Sequence, residues 1–156
     1  VYLAGTINLA DAYFQRWRLE ATETLLRHSI TPLSPLAQKE TAIFSKDGGV
    51  TSNIPSPDIF MRDYKMVQSS NLILANLKIV GDSGKPIEKP LIGTYFEMAW
   101  AWHDKKPIIA VVEPDNYLFN NHPFLAATIT HKFPTLEEAL HNIVSYWNWH
   151  WSDPSD

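Results

Sequence analysis

The 156-residue chain contains no cysteine, which removes disulfide scaffolds, thiolate metal sites and cysteine nucleophiles together. Positive charge is also scarce, with 13 lysines and arginines against 17 acidic residues and a net charge of −4. Duplex DNA and RNA binders depend on a basic footprint for phosphate contacts, so no nucleic-acid polymer is expected as a partner. No apolar run approaches the ~20 residues that span a bilayer, and no signal peptide is visible, so no membrane association and a cytoplasmic location are expected. The chain begins at Val1 rather than methionine, and a few residues are expected to precede it. What is present is apolar: 45% hydrophobic against 19% charged residues excludes disorder. One domain over residues 1–156 is expected, able to bury roughly 70% of its unfolded surface.

Several familiar sites are missing as well. Gly81-Asp82-Ser83-Gly84-Lys85-Pro86 lacks the first glycine of a phosphate loop and has proline in place of the Ser/Thr after the lysine, so it reads as a turn. No G-x-G-x-x-G follows the first strand, and no G-x-S-x-G elbow surrounds Ser69, Ser70 or Ser83. His28, His103, His122, His131, His141 and His150 fall at no metal-ligand spacing, so no metal is expected. His122 sits in a loop from which a pocket is within reach, although surface histidine is the default. Arg16 and Arg18 are most simply solvent-facing or ion-paired; as phosphate ligands they would favour a nucleotide over a nucleoside.

The pattern alternates strands with helices. Val1–Ala4 reads as a buried strand ended by Gly5-Thr6. Asp11 caps a helix whose apolar stripe is Phe14, Trp17, Ala21 and Leu25. Ser29–Pro35 is predicted as a second strand and residues 37–56 as a long loop or flap. Ser56-Pro57 opens a helix to about Ser70, with serine as cap. Asn71–Leu77 and Pro107–Val112 are apolar enough to be strands covered on both faces, with a loop over Lys78–Pro90 and a helix over Ile92–Trp102 between them. A loop over Glu113–Phe124, a strand over Thr128–Lys132 and a helix capped by Thr135 complete the chain. Parallel β-α-β units follow, in a three-layer α/β/α sandwich with a five-stranded, mainly parallel sheet of flavodoxin-like or Rossmann-like type. In such sheets the ligand lies beyond the carboxyl ends of the strands, where strand order reverses.

Two carboxylates stand in unexpected company. Glu97 is the only charged residue in Leu91–Trp102 and lies about one turn into its helix, near a pocket mouth. A carboxylate there is either a desolvated nucleophile or base, or a buried glutamate capping a neighbouring loop. Asp63 falls on the apolar stripe Ile59, Met66, Val67 and Ser70 of the preceding helix, beside Arg62. Alone it reads as an ion-pair residue. Together, two carboxylates on helices flanking one central strand are what cleavage of a glycosidic bond uses. Tyr2, in the first strand, either hydrogen-bonds the nucleophile or is a core tyrosine.

Three segments in order, Tyr2-Leu3-Ala4-Gly5-Thr6-Ile7 with Trp17-Arg18, Arg62-Asp63 before Leu72–Asn76, and Gly93-Thr94-Tyr95-Phe96-Glu97-Met98-Ala99, resemble the nucleoside 2-deoxyribosyltransferase family, which includes related deoxynucleoside 5′-monophosphate N-glycosidases. The resemblance covers most of the chain. It implies Glu97 as nucleophile, Asp63 in contact with the base and its proton, and Tyr2 orienting the nucleophile. Gly5, Thr6, Trp17, Gly93 and Thr94 are implied as substrate-binding residues. The implied partners are a nucleoside or nucleotide and a free nucleobase, with a homo-oligomer as the assembly and no cofactor. Leu91 departs from the family pattern, which often has an acidic residue or a phosphate-holding serine there. The aromatic tail residues Tyr146, Trp147, Trp149 and Trp151 have no secure match, and an aromatic C-terminal helix is more often interface or core. Base exchange, hydrolysis of the same substrates and non-catalytic nucleotide sensing are the readings carried forward.

Overall fold

A computed structural model of the chain describes residues 1–7, 11–36, 43–44, 50–51, 55–87 and 91–151. In chain order the elements are β1 (Tyr2–Gly5), α1 (Ala12–Arg27), β2 (Ile43–Phe44), β3 (Val50–Thr51), α2 (Ser56–Ser69) and β4 (Ile73–Asn76). They are followed by α3 (Ile92–His103), β5 (Ile108–Val111), α4 (Tyr117–Asn121), α5 (Pro123–Thr128), β6 (His131–Phe133) and α6 (Leu136–Trp151). Four strands form one parallel sheet in the order β1-β4-β5-β6. Helices α1 and α6 pack together on one face, and α2 and α3 pair on the other, which makes the three layers.

Alternation along the strands divides the core. Val1, Leu3, Leu72, Leu74, Ile109 and Val111 meet the α1/α6 layer, where Trp17, Ala21 and Leu25 of the expected stripe are fully buried. Tyr2, Ala4, Ile73, Ala75, Ile108 and Ala110 face α3, which contributes Met98 and Ala101. The strand register places Ala4, Ala75 and Ala110 side by side. This row of the smallest side chains lets α3 settle close to the sheet.

The fifth strand is reduced to a single bridge between Tyr2 and Leu33. Leu33 donates to Val1 O at 2.7 Å and accepts from Leu3 N at 2.9 Å, so parallel pairing begins as predicted. The next donor in that pattern would be the N–H of residue 35, directed at Leu3 O. Residue 35 is proline and has none, so the strand stops.

Other expectations shift. Asp11 caps α1 by accepting from Tyr13 N at 2.9 Å, as expected. For α2 the capping position falls on Pro55 without a side-chain bond, so Ser56 is not the cap. Part of the segment read as a loop over 37–56 pairs as the antiparallel ladder β2–β3, Pro55 and Ser56 open α2, and the remainder of that segment lies outside the described residues. The region read as a loop over Glu113–Phe124 holds α4 and the start of α5, and α5 uses Thr128, which moves the last strand to His131–Phe133. Thr135 does cap α6, accepting from Glu138 N at 3.2 Å. Gly81–Gly84 is a turn, closed by Gly84 N donating to Gly81 O at 3.1 Å. Among the described residues no helix is long and apolar enough to cross a membrane.

Candidate active site

With Leu33 beside β1, strand order reverses between β1 and β4, and in open α/β sheets the ligand position is beyond the strand ends at such a reversal, here beyond Gly5 and Asn76. Gly5 has φ +152°, a backbone region that favours glycine, and a Cβ there would lie 2.8 Å from Asn76 O and 2.9 Å from Trp17 Cζ2. The strand end is therefore packed too tightly for any side chain. Asn76 is fully buried; its amide donates to the Tyr13 hydroxyl at 2.8 Å and its Oδ1 accepts from Lys78 N at 3.3 Å.

The central pair is Tyr2 and Glu97. The phenol donates to Glu97 Oε1 at 2.6 Å, a short charge-assisted bond inside the fold. Tyr2 is fully buried and Glu97 is 8% exposed. Burial, then the Glu97 charge and its hydrogen bond, then the more distant Asp63 charge all drive the Tyr2 phenol far above its ordinary range, with only Arg18 opposing. Tyr2 is thereby held as an O–H donor toward Glu97.

Asp63 is partly buried on α2. Its Oδ1 accepts from Arg62 Nη2 at 2.7 Å and Nε at 3.2 Å. Arg62 also donates to Pro35 O at 2.9 Å, so it ties Asp63 to the end of the truncated strand. The ion pair expected for Asp63 taken alone is present.

The remaining predicted residues divide. Thr94 is buried in the first turn of α3, while Gly93 is exposed with open space where a Cβ would point. Thr6 Oγ1 is buried and makes no hydrogen bond among the described residues. Trp17, implied at the substrate, has no exposed surface; it packs beneath Gly5 on the α1/α6 side and supports the turn from below. His122 is exposed between α4 and α5 beside Phe124. Tyr146 is exposed on α6 and Trp147 packs against the core, whereas the side chains of Trp149 and Trp151 lie outside the described residues.

Arg16 is ion-paired on the surface, to Asp82 at 2.9 Å. Arg18 is not on the surface at all: it is 4% exposed, and its guanidinium bonds Leu3 O, Thr6 O and Gly5 O at 3.4, 3.0 and 2.6 Å. The signal for this burial was in the spacing, since position 18 lies four residues after Phe14 and seven before Leu25, on the same stripe. Two further carboxylates, the expected helix cap Asp11 and Glu113, organise the neighbouring loops. Asp11 accepts from Asp82 N at 3.1 Å and Ser83 N at 3.0 Å, and Glu113 accepts from Ile79 N at 2.8 Å and Val80 N at 3.0 Å.

No family model and no curated protein matches the sequence. Among solved structures, a 2-deoxyribosyltransferase from Bacillus psychrosaccharolyticus superposes with a TM-score of 0.62 at 14% identity, over 89% of this chain and 88% of that one. The CMP N-glycosidase of Clostridium botulinum superposes with a TM-score of 0.53 at 17% identity, over 94% of this chain and 100% of that one. The chain thus has the α/β fold that a 2-deoxyribosyltransferase and a CMP N-glycosidase share, with the Tyr2–Glu97 hydrogen bond running from β1 to α3.

Proposed function

We propose that this chain is an enzyme that breaks the N-glycosidic bond of a 2′-deoxyribonucleoside by double displacement and passes the sugar to a second base. The observation that carries this reading is the buried hydrogen bond from the Tyr2 phenol to Glu97 on α3, with the Asp63 charge on α2 within electrostatic reach of the same phenol. Glu97 attacks C1′ through an oxocarbenium-like transition state, the C1′–N electron pair leaves with the base, and the base gains a proton through Asp63. A deoxyribosyl ester on Glu97 results. An incoming base nitrogen then attacks C1′, the ester C–O pair returns to Glu97, and the surplus proton leaves through Asp63. Deoxyribose, without a 2′-hydroxyl, forms its cation more readily than ribose, which fits a deoxy substrate. Gly5, Thr6, Gly93 and Thr94 line the approach to the ligand position in this reading.

Hydrolysis by the same residues is the second reading, favoured by the match of the CMP N-glycosidase over its whole length. Incubation with one deoxynucleoside, with and without a second free base, separates them. Transfer yields a new nucleoside only when base is added, hydrolysis yields free deoxyribose in both tubes, and nucleotide binding without turnover in either tube refutes both. We also infer a homo-oligomer. Phe60, Met61, Ile92 and Phe96 are about half exposed on the two helices that carry Asp63 and Glu97, and Phe60 and Phe96 stack with Trp100. Light scattering of the wild type against Phe96→Asp checks this, with dissociation expected in the variant.

A further inference from the structure

We propose that Arg18 is a positioning residue for the nucleophile: its buried fork replaces the strand pairing that Pro35 cannot supply, and so holds the end of β1 and the Tyr2–Glu97 pair in one fixed arrangement. The proposal rests on the reading of Glu97 as nucleophile given above.

The geometry begins with an interrupted ladder. Leu3 O and Gly5 O lie on the edge of β1 that faces Leu33, and Pro35 brings no N–H to Leu3 O. Arg18, arriving from α1, bonds both carbonyls and continues to Thr6 O, so one planar group fixes the backbone through the turn at the end of β1. The other side of the same gap is closed by Arg62, which takes Pro35 O and holds Asp63. Two arginines therefore stand in for a strand, and each leads to one of the two carboxylates.

A guanidinium spent only on neutral carbonyls would be a costly choice for so buried a position. Arg18 has a counter-charge. Burial pulls it down to about 10, and Glu97 and Tyr2 are the groups that oppose this. It therefore remains a cation at neutral pH, within the field of the Tyr2–Glu97 pair. Among the described residues, the titratable and charged groups coupled to the Tyr2–Glu97 pair include Tyr2 on β1, Arg18 on α1, and Asp63, itself paired with Arg62, on α2. The described residues of β4, β5 and α5, which also pack on α3, bring no titratable side chain, and α4, which meets α3 through Phe119 and Tyr95, brings the exposed Tyr117. Among the described residues, Arg18 is a cation whose removal changes the charge balance at Glu97 without also freeing Asp63, which Arg62 holds.

The test compares the full-length wild type with Arg18→Gln, which loses the charge, and Arg18→Lys, which keeps the charge and loses the fork. Circular dichroism verifies folding. The side-chain carboxyl of Glu97 is titrated by carbon NMR with labelled glutamate, its signal assigned by its loss in Glu97→Gln. Base release from a deoxynucleoside is followed across pH in parallel. In Arg18→Gln the Glu97 titration and the acid limb of the rate profile both move upward by about one pH unit, because an opposing charge within reach shifts a carboxyl by about that much or more. In Arg18→Lys the titration stays near that of the wild type, while kcat falls roughly tenfold with KM little changed, as loss of orientation requires. An unmoved titration in folded Arg18→Gln, or an undiminished kcat in folded Arg18→Lys, overturns the proposal. If Arg18→Gln does not fold, Arg18→Lys decides alone. A wild type that neither releases nor exchanges base, but whose Glu97 titration responds to Arg18→Gln, refutes the proposed function while leaving the coupling of Arg18 to Glu97 standing.

Discussion

Replacing Tyr2 with phenylalanine isolates one hydroxyl with two opposite pH signatures. At neutral pH the hydroxyl donates to Glu97 Oε1 at 2.6 Å within the buried face. A hydrogen bond to a charged group contributes about 1.5–3 kcal/mol, and its removal leaves the carboxylate short of a donor. For a chain of this size that corresponds to a fall in Tm of roughly 3–10 °C. The bond favours ionised Glu97, so this difference is present where Glu97 is charged and shrinks as acid protonates it. The alkaline side runs the other way. Burial, first, and Glu97, second, raise Tyr2 above its ordinary value of 10.0. A folded-state pKa raised above the unfolded one contributes stability that is complete below pH 10 and is lost as pH climbs beyond it. Wild type must therefore lose stability above pH 10 faster than Tyr2→Phe. Tyr13, raised to about 12, and Tyr95 are common to both proteins and cancel in the comparison. Urea denaturation across this pH range, followed by circular dichroism, reads both arms. Equal stability of the two proteins at neutral pH and equal alkaline sensitivity would refute the reasoning.

Further outcomes follow from the same geometry. Glu97→Gln folds but shows no base release or exchange, a loss of at least a thousandfold for a missing nucleophile; chromatography of nucleoside mixtures measures it. Gly81→Ala drives a Cβ to 2.4 Å from Asp11 Oδ1, and Asp11 is already fixed by Tyr13, Asp82 and Ser83 N–H groups. Loss of that cap costs about 1 kcal/mol and lowers Tm in a thermal melt. Backbone donation, led by Ser83 N–H, holds the Asp11 carboxyl below its ordinary value of 3.8, so its stabilisation is complete above that pH and fades as acid passes below it. The stability gap between wild type and Asp11→Asn accordingly narrows in acid, as denaturation at several pH values will show.

Much of the architecture was legible because apolar periodicity was clean. The stripe Phe14, Trp17, Ala21, Leu25 and the uninterrupted strands β4 and β5 are buried as their spacing demands. The second strand failed for a local reason, a missing N–H at Pro35, visible in the sequence but decisive only once its partner carbonyl was known. The α4–α5 region was obscured by Pro114, Pro123 and its asparagines, which punctuate two short helices rather than a loop. At the site, Glu97 stands out as a lone charge in an apolar window, and Tyr2, open in the sequence between core tyrosine and hydrogen-bond partner, is both buried and bonded to it. Arg18 was missed because long basic side chains usually reach water, whereas here the strand edge offered it better acceptors.

The alanine row under α3 bears on how this protein can change. Ala4, Ala75 and Ala110 stand abreast on three neighbouring strands, and the helix that bears Glu97 rests upon them. Any larger residue in that file acts as a shim, raising the helix and drawing the carboxylate away from its phenol. New substrate preferences are therefore to be sought among the loops at the rim, while the floor has almost no freedom to vary.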